Sequence, residues 1–266
     1  MEALSGISAL IPIVIQTFDG IQVARGFEDD IKLYQIRLTI IQLRLSRWAA
    51  AVGLGHDPAE GELANDALEA AKSKFSGSDE IETAEEVIDK IRKVLQDAQE
   101  ASRKLQHEEA LDQETTTEEE LSPPRFKRLY QKLRTLTQKR LHRASVHYNG
   151  TKWALYKKDQ CEALTAQLLA LIEQLEQLVK PADQQLDELT QDDCHYMGES
   201  LRTLLEVVGE SDPRLSSAAT KSLEEDKVAS SVSVSTGTNY GMVVGVNNKE
   251  IKGIVFGSNS TVNNQW

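Results

Sequence analysis

Between Ile31 and Val52 apolar side chains recur in alternating steps of three and four, through Ile31, Tyr34, Leu38, Ile41, Leu45, Trp48 and Val52. Leu33, Ile36, Ile40 and Leu43 widen the stripe. A 3.6-residue period puts these residues on one broad face of a helix, and a face so wide must be covered by several neighbours. The same period returns over about 62 to 75, 80 to 107, 125 to 147, 151 to 179 and 183 to 209, the last bent near Gly198. Gly53, Gly55, Gly77, Pro123-Pro124, Gly150 and Pro181 punctuate the breaks. The spacing predicts an all-α fold, an antiparallel multi-helix bundle.

Ahead of this bundle, Ala3 to Phe18 contains no charged residue, and Leu4, Ile7, Leu10, Ile11, Ile13, Val14 and Ile15 surround Pro12. The run is shorter than the roughly 20 residues of a spanning helix. It is not an export signal, since Glu2 rather than a basic residue precedes it and Phe18-Asp19-Gly20 offers no small-residue cleavage site. Glu2 also stands where a myristoylated chain needs glycine. Two readings stay open: a first helix docked in the core, or a conditionally exposed segment that enters a membrane.

The formal charge of −12 hides an uneven distribution. Residues 79 to 120 hold 15 acidic and 5 basic residues, whereas 121 to 158 hold 11 basic residues and no acidic one. An acidic total disfavours a nucleic-acid partner, whose affinity comes mainly from neutralised phosphates. In the basic stretch Phe126, Leu129, Leu133, Leu136 and a residue at 140 or 141 form the apolar stripe, leaving a basic outer face. That face is either solvated, paired with the acidic segment before it, or set against an anionic lipid surface. Its membrane-facing candidates are Lys127, Arg128, Lys132, Arg134, Lys139 and Arg140. From Glu108 to Pro124 the chain is polar and aperiodic, which reads as a mobile loop.

After residue 210 the vocabulary changes. Residues 211 to 228, with Pro213, serines and mixed charge, read as a linker. Residues 229 to 266 contain no leucine, proline or aspartate, but 7 Val, 6 Asn, 6 Ser and 5 Gly. Here Gly241-Met242-Val243-Val244-Gly245-Val246-Asn247 is echoed 12 residues later by Gly253-Ile254-Val255-Phe256-Gly257-Ser258-Asn259, with Asn239 just upstream. Strands alternate faces at every residue and glycine permits tight turns, so the copies can stack as successive rungs with matching side chains. Val232 to Ser235 alternates strictly and can supply another strand. High β-propensity, low net charge and no proline mark a self-assembling, amyloid-prone tail. The alternative is a flexible tail with a chance hairpin, which has no need of the apolar cores at 242 to 244 and 254 to 256.

No phosphate loop, dinucleotide fingerprint or nucleophile elbow is present. The histidines are scattered, Cys194-His195 are helix neighbours pointing apart, and Cys161 lies 33 residues from Cys194. Neither a metal nor another cofactor is expected. Two cysteines in no framework suggest a reducing, cytoplasmic setting.

Gln35-Ile36-Arg37-Leu38, Leu43-Arg44-Leu45-Ser46-Arg47-Trp48 and Lys152-Trp153-Ala154-Leu155-Tyr156 together resemble the HeLo domain, also called the prion-inhibition and propagation domain, of fungal HET-S/HET-s-like proteins. The resemblance covers about residues 1 to 220. The order of parts fits too: helical domain 1 to 210 with its apolar segment 3 to 18, linker 211 to 228, tail 229 to 266. The resemblance implies a cell-death effector rather than an enzyme. In that family a matching motif on a partner, often a nucleotide-binding receptor, templates the tail into amyloid. The bundle then releases its apolar start into the plasma membrane. A non-toxic adaptor or inhibitor is the alternative.

Overall fold

The computed structural model describes residues 2–23, 29–54, 65–108, 124–140, 153–155, 157–179, 182–230, 243–247 and 250–255. The expected loop after Glu108 and residues 141 to 147 of the expected 125 to 147 helix lie outside the described residues. At the centre is α2 (Asp29–Val52), buried on every side from Leu38 to Ala49. Its wide apolar stripe is covered by α1 (Glu2–Asp19), α5 (Pro124–Arg140), α6 (Lys158–Leu178), α7 (Asp183–Met197) and α8 (Leu201–Val208). α4 (Ser78–Glu108) packs against α1 and α6, and α3 (Asn65–Lys72) touches α1.

Two expectations change. The 151 to 179 helix begins only at Lys158, because Trp153–Leu155 forms β2, paired in parallel with β1 (Ile21–Val23) so that Ile21 faces Trp153 and Val23 faces Leu155. The Ser102 hydroxyl of α4 donates to the Ala154 carbonyl, satisfying an acceptor of the short strand. The linker expected over 211 to 228 is helical instead, as α9 (Pro213–Ser230). Proline breaks a helix interior but suits its first position, where no N–H is needed. Asp212 caps that end by accepting from the Leu215 N–H at 3.0 Å, and Leu215 and Ala219 are buried one turn apart.

The bend expected near Gly198 is present, and a second follows at Gly209. Both glycines have positive φ, 48° and 40°, and each opens a Gly-Glu-Ser 3-10 turn whose serine is buried. A side chain at either glycine would strain the backbone.

The chain divides into two units, Met1–Ala219 and Thr220–Trp266. In the second, β3 (Val243–Asn247) and β4 (Glu250–Val255) pair antiparallel, Val243 with Val255 and Val244 with Ile254, with an irregularity between Val244 and Val246. The described parts of the two repeat copies thus pair within one chain as a hairpin. Asn247 faces Glu250, and so short a connection permits only the antiparallel partner.

Candidate functional site

α1 is docked in the core. Leu4, Ile7, Ile11 and Val14 are fully buried and Ile15 is nearly so, Leu10 is half-buried, and Ile13 is 49% exposed. The residues come together because steps of three and four put them on one side of the helix, against α4. Gly6 lies where Glu85 of α4 crosses, with the carboxylate where a β-carbon would stand. At the other end of α1 the polar contacts belong to α2. Gln42 Nε2 donates to the Ile15 carbonyl at 3.1 Å and to Asp19 Oδ1 at 2.8 Å, and Gln35 Nε2 donates to the Ile21 carbonyl at 3.2 Å. Among the described residues no helix is long and apolar enough to cross a membrane.

The opposite flank of α2 carries buried charge. Arg47 Nε donates to Asp193 Oδ2 of α7 at 3.0 Å and Nη1 to Asp212 Oδ2 at 2.9 Å, all three side chains fully buried. Arg140 of α5 bonds the other oxygen of Asp193 and the Ser46 hydroxyl, while Arg44 forks onto Glu176 of α6 at 2.9 and 2.6 Å and reaches the Ser211 carbonyl. Trp48 Nε1 donates to the Leu175 carbonyl at 3.0 Å. Three guanidiniums thus face three carboxylates. Burial works against the charge of Arg44 and of Arg47. The hydrogen bond and charge of Glu176 outweigh it at Arg44, and the charges of Asp212 and Asp193 outweigh it at Arg47, so both stay above the usual arginine value.

The Arg-Leu-Ser-Arg-Trp string therefore ties α2 to four neighbours, a role its sequence reading did not assign. The signal was there: Asp193 follows Leu186 and Thr190 in the buried register of α7, and an acid in that register needs a buried cation.

The basic candidates do not share one fate. Arg140 is 8% exposed and belongs to the buried network, and Lys132 Nζ donates to the Met197 carbonyl at 2.7 Å, where a cation suits the end of α7. These two turn inward, because their positions border the buried stripe. Arg128 and Lys139 are exposed, and Lys127 and Arg134 are half-buried. Of the tail candidates, Val243, Val244, Gly245, Asn247, Gly253, Ile254 and Val255 fall in β3 and β4. Asn239, Gly241, Met242, Phe256, Gly257 and Asn259 lie outside the described residues, as does Val232 to Ser235. Cys194 is buried and His195 exposed, so the pair forms no dyad. No metal-holding group occurs among the described residues.

Fold and site define a helical bundle whose central helix holds an apolar helix on one flank and a buried ionic centre on the other. Its backbone matches the HET-s N-terminal domain with TM-score 0.67 at 23% identity, covering 83% of this chain and 98% of that one. A double mutant of that domain matches at 0.64 and 23%, covering 83% and 99%. Heterokaryon incompatibility protein S of Podospora anserina is 25% identical over 227 residues, 82% of this chain and 72% of that protein. Heterokaryon incompatibility protein s of the same organism is 25% identical over 222 residues, with the same coverage. The HeLo family model, prion-inhibition and propagation, matches residues 3–207, and the chain belongs to that family.

Proposed function

We propose that this protein executes programmed cell death, in heterokaryon incompatibility or receptor-triggered defence, by amyloid-templated permeabilisation of a membrane. The tail at 241 to 259 assembles with itself and on a matching motif of a partner protein, such as a nucleotide-binding receptor. The bundle then moves from cytoplasm to plasma membrane and α1 enters an anionic bilayer. The observation that carries this reading is the chemistry of α1, a helix without charge from Ala3 to Phe18, whose Leu4, Ile7, Ile11, Val14 and Ile15 fill the core yet suit lipid equally well. Its 16 uncharged residues reach about 24 Å against a hydrocarbon core of about 30 Å, so insertion requires several copies or a thinned bilayer.

The test is dye leakage from anionic vesicles by the full chain, with fibrils of residues 218 to 266 as seeds. Ile13→Asp keeps the resting fold but puts a carboxylate in the segment that enters lipid, which costs roughly 3 kcal/mol at a bilayer centre. Leakage that needs seeds and is abolished by Ile13→Asp supports the effector. Assembly without leakage supports a non-toxic adaptor or inhibitor, a reading favoured by the Gln42 bonds that hold the end of α1. A tail that stays monomeric removes the trigger from both.

A further inference from the structure

We infer that the outer face of α5 docks this domain on the surface of an anionic phospholipid bilayer, before α1 leaves the core and independently of it. The inference rests on the membrane reading above and adds to it a reversible surface contact of the single chain, separate from the lasting move to the membrane that follows tail assembly.

With Lys132 and Arg140 turned inward, four of the basic candidates remain on the outer arc. At 100° per residue, Lys127 and Arg134 fall along one edge of that arc and Arg128 and Lys139 along the other. Gln131, Thr135 and Gln138 lie between them, and no acidic residue occurs from 121 to 158. Two cationic rows therefore flank a neutral polar strip about 18 Å long. Each row ends against an aromatic ring: the Arg134 guanidinium lies 5.7 Å from the Tyr130 ring centre, and Lys139 Nζ lies 4.6 Å from that of Tyr196. Both rings are half-buried. Amphipathic rings beside long cations suit a boundary with one wet and one apolar side.

The chemistry favours a bilayer over a nucleic acid. A strand-binding surface presents open rings on which bases stack, whereas these rings are covered by their own cations. Glu206 of α8 is held by Arg125 at 2.9 Å, at the start of the helix. Acidic groups farther than the Debye length, about 8 Å at physiological salt, do not cancel the attraction.

The experiment is co-sedimentation of the full chain, without tail seeds, with vesicles of phosphatidylserine and phosphatidylcholine or of phosphatidylcholine alone. The wild type is expected to bind only the anionic vesicles, and less at high salt. Each basic residue near the surface contributes roughly fivefold. Lys127→Gln, Arg128→Gln, Arg134→Gln and Lys139→Gln together are then expected to weaken binding by several hundred-fold. The charge-matched control on α4, Lys90→Gln, Lys93→Gln, Arg103→Gln and Lys104→Gln, binds like the wild type. A variant exchanging lysine and arginine at the four α5 positions also binds, which separates charge from folding. Equal binding to both vesicle types, unchanged binding of the α5 glutamine variant, or complete displacement by a short DNA duplex overturns the proposal. Seed-free binding with no leakage on seeding upholds docking while counting against release of α1, so the two readings fail separately.

Discussion

Arg47 and Asp193 join α2 to α7 through a 3.0 Å hydrogen bond, with neither side chain exposed. The second terminal nitrogen of Arg47 lies 2.9 Å from the same oxygen but makes no hydrogen bond, so the pair depends on Asp212 and Arg140 to complete its partners. Breaking a buried pair from one side leaves an uncompensated charge, which costs about 3–5 kcal/mol. Asp193→Asn is therefore expected to lower unfolding free energy in urea by that amount, with two arginines left short of one anion. A loss below about 1 kcal/mol would mean that solvent already reaches the pair.

Gly6 meets Glu85 at the carboxylate, the far end of a flexible side chain, rather than at backbone. Gly6→Ala relieves the entropy penalty of glycine in a helix, about 0.5–1 kcal/mol, against the cost of swinging Glu85 aside. Stability in urea is expected to stay within about 1 kcal/mol of wild type. Gly6→Leu adds volume that the α1–α4 contact does not hold and is expected to lose about 1–3 kcal/mol. Equal losses for both would show that Glu85 is fixed in place.

The helices with a strong apolar period were legible, α2 and α4 almost to their ends, because burial is written into spacing. The buried ionic centre was not, since its ion pairs join residues from 53 to 165 positions apart, as Arg140 with Asp193 and Arg47 with Asp212, and sequence periodicity is local. β2 was hidden inside a helical period, because three residues such as Trp153 to Leu155 carry no signal of a distant partner strand. α9 was hidden by Pro213, whose meaning reverses between a helix interior and its first turn. The apolar face of α1 was legible in the run from Leu4 to Ile15. That Ile13 alone among its large side chains stands half outside was not, since the uncharged residues around it leave the run without a polar face to orient it.

Stability should fall in alkali. Burial, then the hydrogen bond and charge of Glu162, push the Tyr34 phenol up to about 12. Burial pushes the Cys161 thiol up to about 12, with help from Glu162, and Cys194 up to about 11, with help from Asp193. In each case the fold favours the neutral, protonated group. The unfolded chain releases those protons from the ordinary values of 9.0 for a thiol and 10.0 for the phenol. The contribution is thus full below about pH 9 and is lost as pH rises towards about 12. Urea unfolding across this window is expected to show a decline that Tyr34→Phe with Cys161→Ala and Cys194→Ala flattens. A wild-type profile level from pH 9 to 12 would contradict the burial of these groups.

Ile11 and Ile13 sit two residues apart on α1, one fully buried and one 49% exposed, and the difference separates folding from function. Ile11→Asp places a carboxylate among Ile7, Val14 and their neighbours, where a charge has no partner. It is expected to destabilise the bundle by more than about 4 kcal/mol or to unfold it. Ile13→Asp faces water for half its surface and is expected to change unfolding free energy by less than about 1 kcal/mol. Both substitutions put the same charge into the same segment, so both should impair entry into lipid to a similar degree. Measured side by side, leakage lost in both with stability lost in Ile11→Asp alone isolates the membrane step. If Ile13→Asp instead unfolds the chain as Ile11→Asp does, its half-exposed position in α1 is wrong, and it no longer serves as the probe of insertion.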